Sequence, residues 1–279
     1  MPRPRSSDGL CRVIAIANQK GGVGKTTTAV NLSAALGLLG YKTTLIDIDP
    51  QGNASTGLGI DRSSRGCGSY GLLAGTRDFS DIARPTAVNG LSIVPAEPDL
   101  AGAEVELVNL QDRESRLKSA LQSARQKITG QDYIFIDCPP SLNLLSVNAL
   151  VASDSVIIPL QSEFLALEGL TQVTNTIEII RRKLNPELSL NGILLTMMDR
   201  RNNLCEQVEA DVRGFFGASV YRNVVPRNVR LSEAPSHGMP IFLYEPKSAG
   251  AVAYHEIANE FLARDTALVT QPRKVPQST

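Results

Sequence analysis

The chain has 279 residues, 42% of them hydrophobic and 20% charged, with 28 Lys and Arg balanced by 28 Asp and Glu. That size and composition suit a soluble globular protein with one sizeable core, and a formal charge of zero gives no whole-chain signal for nucleic acid. No apolar run is long enough to cross a bilayer, and the four cysteines, Cys11, Cys67, Cys138 and Cys205, are too dispersed for a zinc site or a disulfide framework.

Residues 1–11 are polar and proline-containing and predict a mobile tail; the apolar run that follows Pro2-Arg3-Pro4-Arg5 is too short for a signal peptide, so a cytosolic protein is expected. The first strand, Val13–Ala17, runs into Lys20-Gly21-Gly22-Val23-Gly24-Lys25-Thr26-Thr27. Glycines let such a loop approach phosphate oxygens with its backbone N–H groups. A helix is expected over Thr26–Leu39, with Ala29, Leu32, Leu36 and Leu39 on one face, and its N-terminus adds a positive dipole end. Lys25 would then reach the β- and γ-phosphates of a nucleoside triphosphate, and the Thr26 hydroxyl would take a Mg²⁺ position. The usual pattern G-x-x-x-x-G-K-[ST] has glycine where this chain has Gln19, and Lys20 adds a second lysine to the loop.

The next strand, Thr43–Ile48, closes on Asp47-Ile48-Asp49-Pro50, with both carboxylates on one side of its carboxyl end, where one could orient an attacking water. The alternative is that these residues only end the strand and cap a turn. Asp61–Gly90, rich in Gly, Ser and Arg, predicts irregular connections with short helices. Further strands are expected at Leu91–Val94, Tyr133–Ile136, Val156–Leu160, Gly192–Met197 and Val220–Val225. Tyr133–Ile136 closes on Asp137, the placement a water-mediated Mg²⁺ contact requires, and Cys138 beside it reads as a small apolar residue. Leu170, Val173, Ile177, Ile180 and Leu184 trace one helical face that stops at Asn185-Pro186, with Glu178, Arg181 and Arg182 toward water. The alternation predicts an α/β fold with a mostly parallel sheet and helices on both faces, organised as one domain over residues 12–264 with a flexible tail over 265–279. The last third carries Arg213, Arg222, Arg227, Arg230 and Lys247 without interleaved aromatics, a pattern suited to phosphate contacts rather than base stacking. His237 and His255 have no triad context and read as structural. No repeat is visible, and the stretch before the first strand leaves no room for a helix-turn-helix module.

The loop with its extra lysine resembles the deviant Walker A motif of the ParA/MinD class of P-loop ATPases. Leu45–Asn53 is similar to the second acidic motif of that class, and Phe135–Ser141 to its Walker B. Pro226–Gly238 resembles a late segment typical of Soj-like chromosomal ParA proteins. The resemblance covers residues 12–264 and implies a P-loop NTPase-like fold that hydrolyses ATP with Mg²⁺. It implies that Lys20 acts across a dimer interface on phosphates held by a second copy, so that hydrolysis depends on assembly much as with an arginine finger. It further implies that Asp49 orients water, that Thr26, Asp137 and Asp47 serve the magnesium shell, with Asp47 alternatively supporting the loop, and that Pro226 and Asn228 lie near adenine. The partners implied are a second copy in an ATP-dependent homodimer, double-stranded DNA bound without sequence preference, and a ParB-like protein that stimulates hydrolysis, in a cytoplasmic, nucleoid-associated protein with no membrane partner. Other readings are a relative that positions a different cargo, whose motifs would be the same, and a MinD-like membrane-recruited ATPase. Ala267–Pro276, with two prolines, is a poor match to the inserting helix of the latter. A small-molecule phosphotransferase needs an acceptor pocket, and the iron–sulfur cluster of nitrogenase iron proteins needs a cysteine context that this chain lacks.

Overall fold

Strands that are apolar along their whole length must be covered on both faces, and the chain supplies helices in alternation with them. The computed structural model describes residues 11–127, 130–163 and 166–270. Their order is β1 (Arg12–Ile16), α1 (Lys25–Leu38), β2 (Thr43–Asp47), α2 (Asn53–Gly57), α3 (Ser69–Ala74), α4 (Phe79–Ile82), β3 (Arg84–Pro85), β4 (Leu91–Val94), α5 (Ala103–Leu107) and α6 (Arg116–Lys127). They continue through β5 (Tyr133–Asp137), α7 (Leu144–Ala152), β6 (Ser155–Gln161), α8 (Ala166–Lys183), β7 (Ser189–Thr196), α9 (Asn203–Phe216), α10 (Val229–Glu233), α11 (Ile241–Tyr244) and α12 (Ala249–Thr270).

The sheet has the order β3-β4-β2-β5-β1-β6-β7, parallel throughout except for the short antiparallel edge strand β3. Alternate residues of each strand feed opposite cores: Val13, Ala15 and Ile134 join one, while Ile14, Ile16 and Phe135 join the other, beneath α1 and α12. Because the central strands are parallel, Ile16, Asp47 and Asp137 all fall at one edge of the sheet, and register pairs Asp137 with both Asp47 and Ile16.

Three expectations need correction. Val220–Val225 is not a continuous strand: it meets β7 at the Ile193–Val220 bridge and through Tyr221 N–Ile193 O and Val225 N–Leu195 O (2.9 Å each), and a further bridge, Met198–Pro226, follows just beyond. The reason lies on α12, where the Glu260 carboxylate accepts the N–H of Asn223 (3.0 Å), which lies between the two β7-bonded amides and would have continued the ladder, and also that of Arg222 (2.8 Å). The C-terminal boundary at 264 falls inside α12, which runs on to Thr270; Asp265 is buried and accepts from Arg12 at 3.4 Å, so this part of the expected tail is packed helix, while residues 271–279 lie outside the described residues. Helix α1 buries most of its circumference rather than one face, since it is wedged between the sheet, α2, α11 and α12. The expected short helices of 61–90 are present, together with β3.

Candidate nucleotide site

The loop after β1 is held in shape by the protein's own hydrogen bonds. Buried Asn18 donates to Pro159 O on β6 (2.7 Å) and accepts from Lys20 N (3.0 Å), which anchors the start of the loop. Thr196, at the end of β7, donates to Val23 O (2.9 Å) and fixes its middle. Gly22 and Gly24 have φ of 75° and 85°, a left-handed backbone that glycine adopts without strain, and Gly24 is the N-cap of α1. Gly21–Thr27 therefore lead directly into the N-terminus of a 14-residue helix, an anion site in its own right.

Lys25 is buried and its Nζ donates to Lys20 O at 2.8 Å. Burial lowers its pKa below the ordinary lysine value, while the nearby Asp137, Cys138 and Asp49 act in the opposite sense. Lys20 points the other way, half exposed, in an ion pair with Glu163 just beyond β6.

The three acidic residues differ sharply. Asp47 accepts from Asp49 N (3.2 Å), Ser55 N (2.8 Å) and Ser55 Oγ (2.7 Å), so its oxygens hold the loop that carries Asp49. Of the two roles considered for it, loop support is the one its contacts display. Asp49 is buried and accepts from Gln51 N at 3.0 Å. Asp137 is fully buried, and neither of its oxygens has a well-directed hydrogen bond among the described residues. Burial first, then Asp47, raises its pKa well above the ordinary carboxylate value, and the Thr26 hydroxyl and Lys25 only partly oppose this. A buried carboxylate so poorly supplied with donors at such a place fits a divalent cation, and Thr26 and Asp137 are the residues that would hold Mg²⁺.

Beside the loop lies a cavity of about 460 Å³, within the range of small-molecule sites. Its walls include Gly24, Thr27, Thr196, Met197, Pro226 and Asn228, and Tyr254 on α12 also faces it. Pro226 and Asn228, expected near adenine, are thus at this pocket; Asn228 also caps α10 by accepting from Arg230 N at 2.8 Å. Met197 gave no signal in the sequence. It holds φ +54°, which costs a residue with a side chain about 1–2 kcal/mol, strain of the kind often found at ligand sites. Tyr254 was missed too; its hydroxyl shares a hydrogen bond with Thr28 of α1 (3.1 Å), joining the C-terminal helix to the phosphate helix.

The five basic candidates separate. Arg213 is bound to Glu209 (2.8 Å) and donates to Tyr221 O and Arg222 O, so its guanidinium is committed to packing. Arg230 is exposed and pairs with Glu233 at 2.8 Å. Arg222 and Lys247 are exposed, and Arg227 is exposed at the mouth of the cavity. Arg201, overlooked in the sequence, lines the same cavity with an 89% exposed side chain, forked onto Asp199. Among the described residues no helix is long and apolar enough to cross a membrane.

A family model described as an AAA domain matches residues 11–190. The chain is 54% identical to the sporulation initiation inhibitor protein Soj of Bacillus subtilis, over 90% of this chain and 98% of that protein. It is equally 54% identical to the chromosome partitioning protein ParA of Caulobacter vibrioides, over 91% and 95%. Among solved structures, cobyrinic acid a,c-diamide synthase from Mycobacterium smegmatis, with a bound ATP analog and magnesium, superposes with a TM-score of 0.80 at 37% identity, covering 97% of this chain and all of that one. With the loop lysines, the acidic strand ends and the parallel sheet in place, these matches make the chain a member of the ParA/Soj family of P-loop ATPases.

Proposed function

We propose that this ATPase is a switch for partitioning chromosomal or plasmid DNA: ATP and Mg²⁺ drive two copies together, the pair binds DNA without sequence preference, and a ParB-like protein triggers hydrolysis and release. The observation that carries the nucleotide step is the pair of buried Asp137 oxygens, faced by the Thr26 hydroxyl and without a well-directed hydrogen bond among the described residues, at the mouth of a glycine loop. The similarity to Soj and ParA proteins supports the partitioning role.

The loop N–H groups of Gly21–Thr27 and the charge of Lys25 grip the phosphates, and the base enters the cavity edged by Met197, Pro226 and Asn228. Thr26 and Asp137 would hold Mg²⁺, which would supply positive charge against the triphosphate. Asp49 accepts a hydrogen bond from the attacking water and aligns it with the γ-phosphorus. Lys20 of the second copy supplies positive charge to the departing oxygens, which makes turnover depend on pairing. Exposed Arg227, Arg230 and Arg201 supply cations for DNA phosphates.

Asp49→Ala separates binding from hydrolysis. The variant should bind ATP, accumulate as a dimer on a sizing column and release no phosphate; turnover at the parent rate would remove Asp49 from the mechanism.

A further inference from the structure

We infer that Arg65 is a positioning residue for hydrolysis, acting through the loop that carries Asp49; the inference rests on the role proposed above for Asp49. Arg65 follows a short 3₁₀ turn over Arg62–Ser64 and is only 5% exposed. A buried guanidinium is costly unless its donors are used. Its Nε and Nη2 donate to the segment that follows Asp49: Nη2 to Thr56 Oγ1 (2.7 Å), and Nε and Nη2 to Ile60 O (3.2 and 3.1 Å).

These bonds continue toward Asp49. The Thr56 hydroxyl donates to Gly52 O (3.2 Å), Gly52 N donates to Asp49 O (2.8 Å), and Gln51 N donates to Asp49 Oδ1 (3.0 Å). The cation strengthens the Thr56–Gly52 bond, and the other two bonds fix the same short turn. The guanidinium also lies against the turn: a Cβ at Gly52 would stand 2.0 Å from Nη1 and push it aside, and the φ of 64° favours glycine there in its own right. On the opposite side, Asp47 binds Asp49 N. Asp49 is therefore gripped between a carboxylate fixed on the sheet and an arginine fixed behind α2. A water-orienting carboxylate displaced by as little as 1 Å loses rate rather than affinity, because ATP is held by other residues.

The test compares Arg65→Met, Arg65→Lys and Asp49→Ala in the full chain, reading ATP affinity with a fluorescent analogue, single-turnover phosphate release and thermal melting. Arg65→Met should bind nucleotide within about twofold of the parent, yet release phosphate about tenfold or more slowly and accumulate as the ATP dimer; Arg65→Lys should recover part of the rate. Should Arg65→Met fold poorly, Arg65→Lys alone carries the comparison, with slower release at unchanged affinity expected. Parent-like release from folded Arg65→Met while Asp49→Ala is inactive would overturn the role of Arg65. Parallel loss of affinity and rate would overturn it as well, by showing general disruption. Normal turnover by Asp49→Ala would instead remove the reading on which it rests.

Discussion

Asp47 and Asp137 are register partners at the carboxyl ends of adjacent strands, yet Asp47 accepts three well-directed hydrogen bonds and Asp137 none among the described residues. One carboxylate is part of the scaffold; the other is held ready for something the scaffold does not contain. Burial raises the pKa of both, Asp47 to about 6, so without a cation the folded chain disfavours their ionised forms.

The stability of the protein in metal-free buffer should therefore decline as pH rises through these raised values, because protonated carboxyls are tolerated in the buried site and ionised ones are not. Asp137→Asn removes one buried charge. It should melt higher than the parent in EDTA at pH 8, by about 1–2 kcal/mol, with the difference shrinking toward pH 5. The same variant should lose about 10- to 100-fold in Mg²⁺-dependent activity. Melting curves from pH 5 to 8, with and without Mg²⁺, check both halves; identical pH dependence in parent and variant would contradict the assignment.

Lys25→Ala removes the cation aimed into the loop. The loss of a charged hydrogen bond of about 3 kcal/mol predicts ATP binding weaker by about 100-fold or more, measurable by calorimetry on protein shown to be folded by circular dichroism. Retention of tight binding would refute the phosphate assignment.

In the proposed mechanism Lys20 must leave Glu163 before it reaches a second copy. Exposed ion pairs are worth about 0–1 kcal/mol, so the hold is light and easily exchanged for phosphate. Lys20→Ala should bind ATP but neither pair productively nor hydrolyse, whereas Glu163→Gln should pair at the same or lower ATP concentration than the parent. Sedimentation across an ATP series distinguishes these outcomes.

For DNA, Arg230→Ala and Arg213→Ala make a matched comparison. Arg230 is exposed, so its loss should weaken DNA binding, reduce the slope of affinity against salt by about one, and leave melting unchanged. Arg213 ties α9 to the 221–222 segment, so its loss should lower melting instead. Filter binding of unrelated duplexes in ATP and in ADP, over a salt series, reads the effect; equal binding in ADP would contradict ATP control.

The phosphate loop is legible in the sequence because strand, glycines and helix are contiguous, and local chemistry dictates each of them. Asp137 is legible for the same reason, as the end of an apolar strand. Val220–Val225 has an equally apolar pattern and still fails to become a strand, since the deciding group, Glu260, lies on a helix distant in the chain. Met197, Tyr254 and Arg65 share that difficulty: each belongs to the site through contacts that only folding creates. The edge strand β3, two residues ending in proline, carries too little pattern to be seen at all.

Both borders of the sheet are blunted, one by that proline and the other by a segment whose amide groups are turned away to Glu260. Open borders invite strands from neighbouring molecules, and these two offer little to add onto. Copies of the chain are thereby discouraged from joining into continuous sheets or fibres. On the proposed mechanism, association falls to the surface where Lys20 stands, and self-recognition and nucleotide recognition would then draw on the same few residues.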